Sequence, residues 1–284
     1  GCVLANRLTE NPDNKVLLVE AGGDHRHFLL DMPLGMMRAL FKPEFTWRYM
    51  SMPEPHLNDR RIMLPRGRVL GGSSSINGMF YMRGHSTDFD GWAQQGCSGW
   101  SYDEVLPYFK RMETHWSDDT RWHGKDGPLH VVPVQTEGRL HQPLMETAEA
   151  AGFSTSENLN AEQEEGFARG ELTIDANGRR ASTARAYLDP AMSRPNLTVV
   201  TGALTQKIIF EGKRATGIEY LRDGERISVS ARKEVILSGG SYNSPQLLML
   251  SGIGPAAHLQ DKGISVLHDL PGVGRNLSEH PRVP

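Results

Sequence analysis

The residues best suited to do chemistry form one run, Arg66-Gly67-Arg68-Val69-Leu70-Gly71-Gly72-Ser73-Ser74-Ser75-Ile76-Asn77-Gly78-Met79. Two adjacent glycines and three serines follow an apolar Val69-Leu70 and two arginines. Glycine lets a backbone approach an anion closely, and serine hydroxyls and exposed amides can then donate to it. A flexible linker has a similar composition. A linker, however, is not bracketed by Val69-Leu70 on one side and by Ile76 to Tyr81 on the other. The run is therefore read as a loop that holds an anion.

The elements around this loop suggest which anion. Apolar residues at Val3, Leu4 and Leu8 suit one face of a helix that Asn11-Pro12 ends. Lys15-Val16-Leu17-Leu18-Val19 has the length and β-branching of a strand, and it runs into Glu20-Ala21-Gly22-Gly23. Helix, turn, strand and acid match the second half of a dinucleotide-binding βαβ unit, in which an acid about 20 residues after the Gly-rich turn takes a ribose hydroxyl. An amphipathic helix before a buried strand with a solvated terminal Glu20 gives the same pattern. The first strand and most of the G-x-G-x-x-G turn are absent, Gly1 stands where its last glycine would be, and no Met opens the chain. On this reading the sequence is a fragment of a longer protein.

A second block is Gly240-Ser241-Tyr242-Asn243-Ser244-Pro245-Gln246-Leu247-Leu248-Met249-Leu250-Ser251-Gly252-Ile253-Gly254. Glu234-Val235-Ile236-Leu237 reads as a buried strand entering it. Ser244 is suited to be an N-cap, Pro245 a first helical residue and Gly252 a terminator. The free amides at such a helix start suit a nucleotide, and the same residues also make a well-capped core helix.

Together, Gly67 to Asp90 and Gly240 to Gly254 resemble the glucose–methanol–choline (GMC) family of flavin oxidoreductases. Arg179 to Leu188 and Pro271 to Leu277 resemble its bacterial choline dehydrogenase branch. The resemblance implies an incomplete FAD-binding, Rossmann-like α/β domain over residues 1–115 and 191–284. It also implies an inserted or adjacent α+β substrate domain with an antiparallel sheet over 116–190. It assigns FAD contacts to Gly1, Glu20, Ala21, Gly22, Arg68, Gly71, Gly72, Ser73, Asn77, Gly78, Met79, Thr205 and Gly239. Among these, Glu20 would take the adenosine ribose and disfavour a 2′-phosphate. Gly71, Gly72 and Ser73 would line the pyrophosphate and flavin, and Asn77 to Met79 would approach the flavin ring. Asn77 could instead cap its own turn, and Arg68 could face phosphate, a carboxylate or solvent. Some family oxidases carry a flavin-linked histidine at the place of Ile76. Isoleucine has no nucleophile, so the FAD is expected to be non-covalent.

The activity so implied is oxidation of a primary alcohol at its CH–OH to the aldehyde, choline dehydrogenase-like, with hydride passing to flavin N5. The family's histidine base would lie beyond Pro284, so no catalytic residue is assigned here and the fragment alone is expected to be inactive. His280 matches a family histidine that is not the base. A choline cage would draw on Trp47, Tyr49, Phe80, Tyr81 or Trp92, and these aromatics also suit a core. Other aliphatic or aromatic alcohols, and a non-catalytic protein on the same fold, are the alternatives. A nicotinamide dehydrogenase would leave both blocks without a use. The electron acceptor would be oxygen, or a quinone or other carrier.

Composition narrows the rest. At 284 residues the chain exceeds one ordinary core. Its net charge of −3, without a basic run, gives no reason to expect nucleic acid. Cys2 and Cys97 give no disulfide framework, which fits a reducing, cytoplasmic setting. No apolar stretch approaches the roughly 18 residues of a membrane span, and the resemblance leaves room for peripheral membrane association of the full-length enzyme. His25, His27, His115, His123 and His130 lack a zinc-ligand spacing, and no metal is expected.

Overall fold

Val16–Val19 and Leu197–Val200, 181 positions apart, pair as parallel strands with Val16 opposite Leu197 and Val19 opposite Val200. The computed structural model in which they meet describes residues 1–135, 140–161 and 165–279. His280 and Pro284 lie outside the described residues. The chain divides into two compact units, one built mainly from residues 3–23 and 192–284, the other from 24–191.

In the first unit the helix Cys2–Leu8 ends where the Thr9 hydroxyl donates to the carbonyl of Ala5 at 2.7 Å. The Asn196 amide donates to the carbonyls of Thr9, Asn11 and Asn14, all at 2.9–3.1 Å. Those bonds tie the turn after the helix to the start of the strand Leu197–Val200 and set its register with Val16–Val19. Leu204–Glu211, Arg214–Arg222 and Glu225–Ser230 form an antiparallel meander. Asp223-Gly224 closes its last hairpin with both residues at positive φ, as a two-residue primed turn requires. The helix Gly240–Leu250 packs on the strand Leu204–Glu211, and the Ser251 hydroxyl accepts from the Ile208 amide at 2.9 Å.

Two expectations fail here. Glu234 to Leu237 is irregular backbone, because no strand pairs with it among the described residues and Ile236 is 43% exposed. The following helix starts at Gly240, not at Ser244-Pro245, which leaves Pro245 inside it. Ser244 still satisfies the helix start, since its hydroxyl accepts from the Gly239 amide at 3.1 Å.

The second unit is mixed. Tyr49–Met50 and Met63–Leu64 pair antiparallel across the segment 51–62. Ser101 opens the helix Tyr102–Met112 with a capping box, reciprocated by Glu104. Glu113–His115 pairs in parallel with Leu129–Pro133, which pairs antiparallel with Glu171–Leu172. A bridge from Phe80 to Leu172 adds the segment after Met79 to that sheet. Leu29, Leu30, Ala39, Phe45, Val69 and Ile76 form a buried cluster beneath the Gly/Ser run.

Candidate cofactor-binding site

The Gly/Ser run folds as a tight loop because Gly67 and Gly71 have no room for side chains. A Cβ on Gly67 would stand 2.2 Å from the backbone of Gly72, and one on Gly71 would stand 2.4 Å from the Ser75 hydroxyl. Gly71 and Gly72 both take positive φ, which favours glycine. At Gly72 a Cβ would meet nothing within 4 Å. The loop is thus crowded on its inner side and open at Gly72, where a ligand could reach the backbone. That geometry fits the pyrophosphate of the flavin nucleotide the resemblance implies.

The serines do less for an anion than their composition suggests. The Ser74 hydroxyl donates to the Gly71 carbonyl at 2.7 Å and accepts from the Thr183 amide at 3.0 Å, and the buried Ser75 hydroxyl donates to the Leu70 carbonyl at 2.8 Å. Ser73 accepts from the Gly67 amide at 3.1 Å while its hydroxyl stays exposed. All three hydroxyls therefore take part in the loop's own hydrogen bonds, and of the three serines only Ser73 is exposed. Arg68 has its guanidinium 5.2 Å from the Trp47 ring, a cation–π contact.

At the far end, the Asn77 side chain accepts from the Met79 amide at 3.1 Å, and Met79 is buried at φ +63°. Asn77 thus shapes its own turn, one of the two roles considered for it. A non-glycine residue held at positive φ is strained, and such strain gathers at ligand clamps. The same Asn77 oxygen accepts from Nη1 of Arg180 at 2.8 Å. Ile76 is 2% exposed within the apolar cluster.

Beyond Met79 the chain is anchored by a buried polar network that sequence reading did not find. Glu113, fully buried, accepts from Tyr81 Oη at 2.5 Å, Arg83 Nη2 at 2.8 Å and the Gly124 amide at 3.1 Å, with His123 Nδ1 at 3.0 Å. Burial pushes its carboxyl up, but the His123 hydrogen bond, the Arg83 charge and the Tyr81 and Gly124 donors outweigh this and hold it at about 2. Burial also pushes the Tyr81 phenol up. Glu171 accepts from Trp116 Nε1 at 2.8 Å and Asn160 Nδ2 at 2.6 Å, with His115 Nε2 2.9 Å away. The His115 and His123 rings stack at 3.5 Å. The one sequence signal was Glu113-Thr114-His115, where two polar residues stand two apart on one face of a strand and so need partners if that face is buried.

This placement also removes one of the aromatic candidates. Tyr81 is 8% exposed and donates to Glu113, so it is not available to a cationic substrate. Trp47 stacks on Tyr49 at 5.8 Å and already faces Arg68, and Trp92 packs edge-on to Phe89 and Trp100. Phe80 is 74% exposed.

In the first unit Gly1 precedes the helix Cys2–Leu8, and Glu20 stands at the carboxyl end of the strand Val16–Val19. Its backbone amide donates to Val200 and its side chain accepts from the Gly22 amide at 2.8 Å. That is the strand end at which open α/β sheets bind nucleotides. Ala21 lies between them. Thr205 is on the strand Leu204–Glu211 beside an irregularity in its pairing, and Gly239 precedes the helix Gly240–Leu250.

The profile described as GMC oxidoreductase matches residues 14–282. The chain is 50% identical over 280 residues to an oxygen-dependent choline dehydrogenase of Rhizobium etli, covering 99% of this chain and 51% of that protein. It is 47% identical over 284 residues to an oxygen-dependent choline dehydrogenase of Paraburkholderia phytofirmans, with coverage of 99% and 51%. The chain thus spans about half the length of the curated relatives it matches. Among solved structures, pyridoxine 4-oxidase from Mesorbium loti superposes with a TM-score of 0.90 at 34% identity, covering 95% of this chain and 53% of that one. An FAD-dependent oxidoreductase from Chaetomium thermophilum gives 0.87 at 33% identity, covering 96% and 49%.

Proposed function

This chain belongs to the GMC oxidoreductase family, and from that premise we propose that the protein is an FAD-dependent enzyme that oxidises choline at its primary alcohol to the aldehyde. The observation that carries this reading is the 50% identity to choline dehydrogenase sustained over 280 residues. FAD, when bound, supplies the acceptor for the hydride leaving the alcohol carbon. The residues of this chain bind and orient it. Glu20 takes a ribose hydroxyl, the open backbone at Gly72 with Ser73 faces the pyrophosphate, and Asn77, Gly78 and Met79 set the ring's edge. Gly1, Ala21, Gly22, Arg68, Thr205 and Gly239 are proposed as further contacts. No residue of this chain is proposed as the proton acceptor, and oxygen or a carrier takes the electrons.

Turnover of the full-length protein with choline, pyridoxine and a benzylic alcohol tests the substrate. We expect kcat/KM to be at least tenfold higher for choline. A tenfold preference for either aromatic alcohol would overturn the choline assignment and leave the family unaffected.

Ile76 gives a second expected outcome. It is buried in an apolar cluster and offers no nucleophile, so acid precipitation of the holoenzyme should release the flavin into the supernatant. Flavin remaining with the pellet would contradict non-covalent binding.

A further inference from the structure

Two arginines of the second unit are almost fully removed from solvent, and they are treated differently. Arg83 meets the Glu113 carboxylate at 2.8 Å. Arg180, 2% exposed, meets no carboxylate within ion-pairing distance among the described residues. The backbone carbonyl of Asp31 accepts from the Arg180 backbone amide, while the Asp31 side chain pairs with Arg185. The Arg180 guanidinium is surrounded by neutral acceptors: Nε donates to the Leu30 carbonyl at 3.0 Å, and Nη1 to the Asn77 carbonyl at 2.7 Å, the Asn77 side chain at 2.8 Å and the Ser74 carbonyl at 3.2 Å. Nη2 is buried with no partner among the described residues. Burial pushes this guanidinium down to about 10, so it stays charged at neutral pH.

A buried cation without an anion is costly and is kept only where something offsets it. Here three of the four bonds go to the loop itself, and all three fall at its Ser74–Asn77 end. The Gly71 end is held by Ser74 and Thr183 instead. Removing the positive charge would leave the Asn77 turn without its clamp. Retaining it leaves a net positive field behind the segment proposed to meet the flavin ring.

We propose that Arg180 is a positioning residue for the flavin: it clamps Asn77 from behind the loop, and its unpaired charge favours the anionic, reduced ring. This rests on the reading that the loop holds FAD. The charge of a group near the ring is one of the levers by which a protein tunes flavin electronics. A residue that only braced the loop would leave the potential alone.

The test uses full-length holoenzyme carrying Arg180→Met or Arg180→Lys, with the two-electron midpoint potential measured by dye equilibration and sulfite affinity by titration. The Met variant should lower the equilibrium constant for reduction at least tenfold, about 30 mV for two electrons, and weaken sulfite binding in parallel. The Lys variant keeps the charge but loses the fork. It should stay within twofold of the parent in both readings, and this decides the matter if the Met variant fails to hold flavin. A Met variant that keeps its flavin with an unchanged potential, or a Lys variant shifted tenfold, would overturn the role of Arg180. Parent protein without flavin would instead overturn the FAD reading on which it stands.

Discussion

Glu113→Ala is expected to destabilise the second unit by about 3–5 kcal/mol, the usual consequence of removing one partner from a buried ion pair. The loss would leave Arg83 charged in the interior and strip acceptors from Tyr81, His123 and the Gly124 amide. Urea unfolding followed by circular dichroism measures it. Glu113→Leu with Arg83→Met should recover much of the loss, because no charge is then stranded. A single-variant loss below about 1 kcal/mol, the scale of an exposed pair, would show that the network is not buried as described. The same carboxylate gives a pH dependence of definite sign. Its folded value lies well below the roughly 4.3 of a free glutamate. The stabilisation is therefore present above that ordinary value and is lost as the pH falls from it toward about 2. Because Tyr81 and Arg83 follow the loop directly, flavin content should fall together with stability in acid.

Gly67→Ala and Gly72→Ala should separate loop folding from cofactor binding. At Gly67 the new methyl would meet Gly72 backbone at 2.2 Å, which cannot give way as a side-chain end could. Overpacking of this kind costs about 1–3 kcal/mol or more, and flavin content should fall at least tenfold with stability. At Gly72 the methyl enters open space, so the fold bears only the left-handed penalty of about 1–2 kcal/mol. If the pyrophosphate approaches this backbone, Gly72→Ala also loses flavin at least tenfold while the apoprotein keeps its secondary structure. Flavin occupancy equal to the parent's in Gly72→Ala would remove Gly72 from the site.

What could be read from the sequence was local in character. The capping box of Ser101 and Glu104, three residues apart, is local to the helix Tyr102–Met112. The Val16–Val19 strand follows from its apolar, β-branched run. Ile76 was placed by its neighbours in the motif. The failures involve partners. Glu234 to Leu237 has the composition of a strand and lacks one to pair with. The hydroxyls of Ser74 and Ser75, of a type able to donate to an anion, donate instead to the Gly71 and Leu70 carbonyls. Arg180 reaches Asn77 from 103 positions away, and Tyr81 reaches Glu113 from 32. No local pattern encodes such pairings. His115 and His123, given no role from their spacing, form a stacked pair beside two carboxylates.

Anaerobic mixing of the full-length protein with choline tests the central claim most directly, with the flavin's visible absorption as the readout. Choline is expected to bleach the bound flavin completely and without added carrier. Flavin that dithionite reduces but saturating choline leaves oxidised would contradict it.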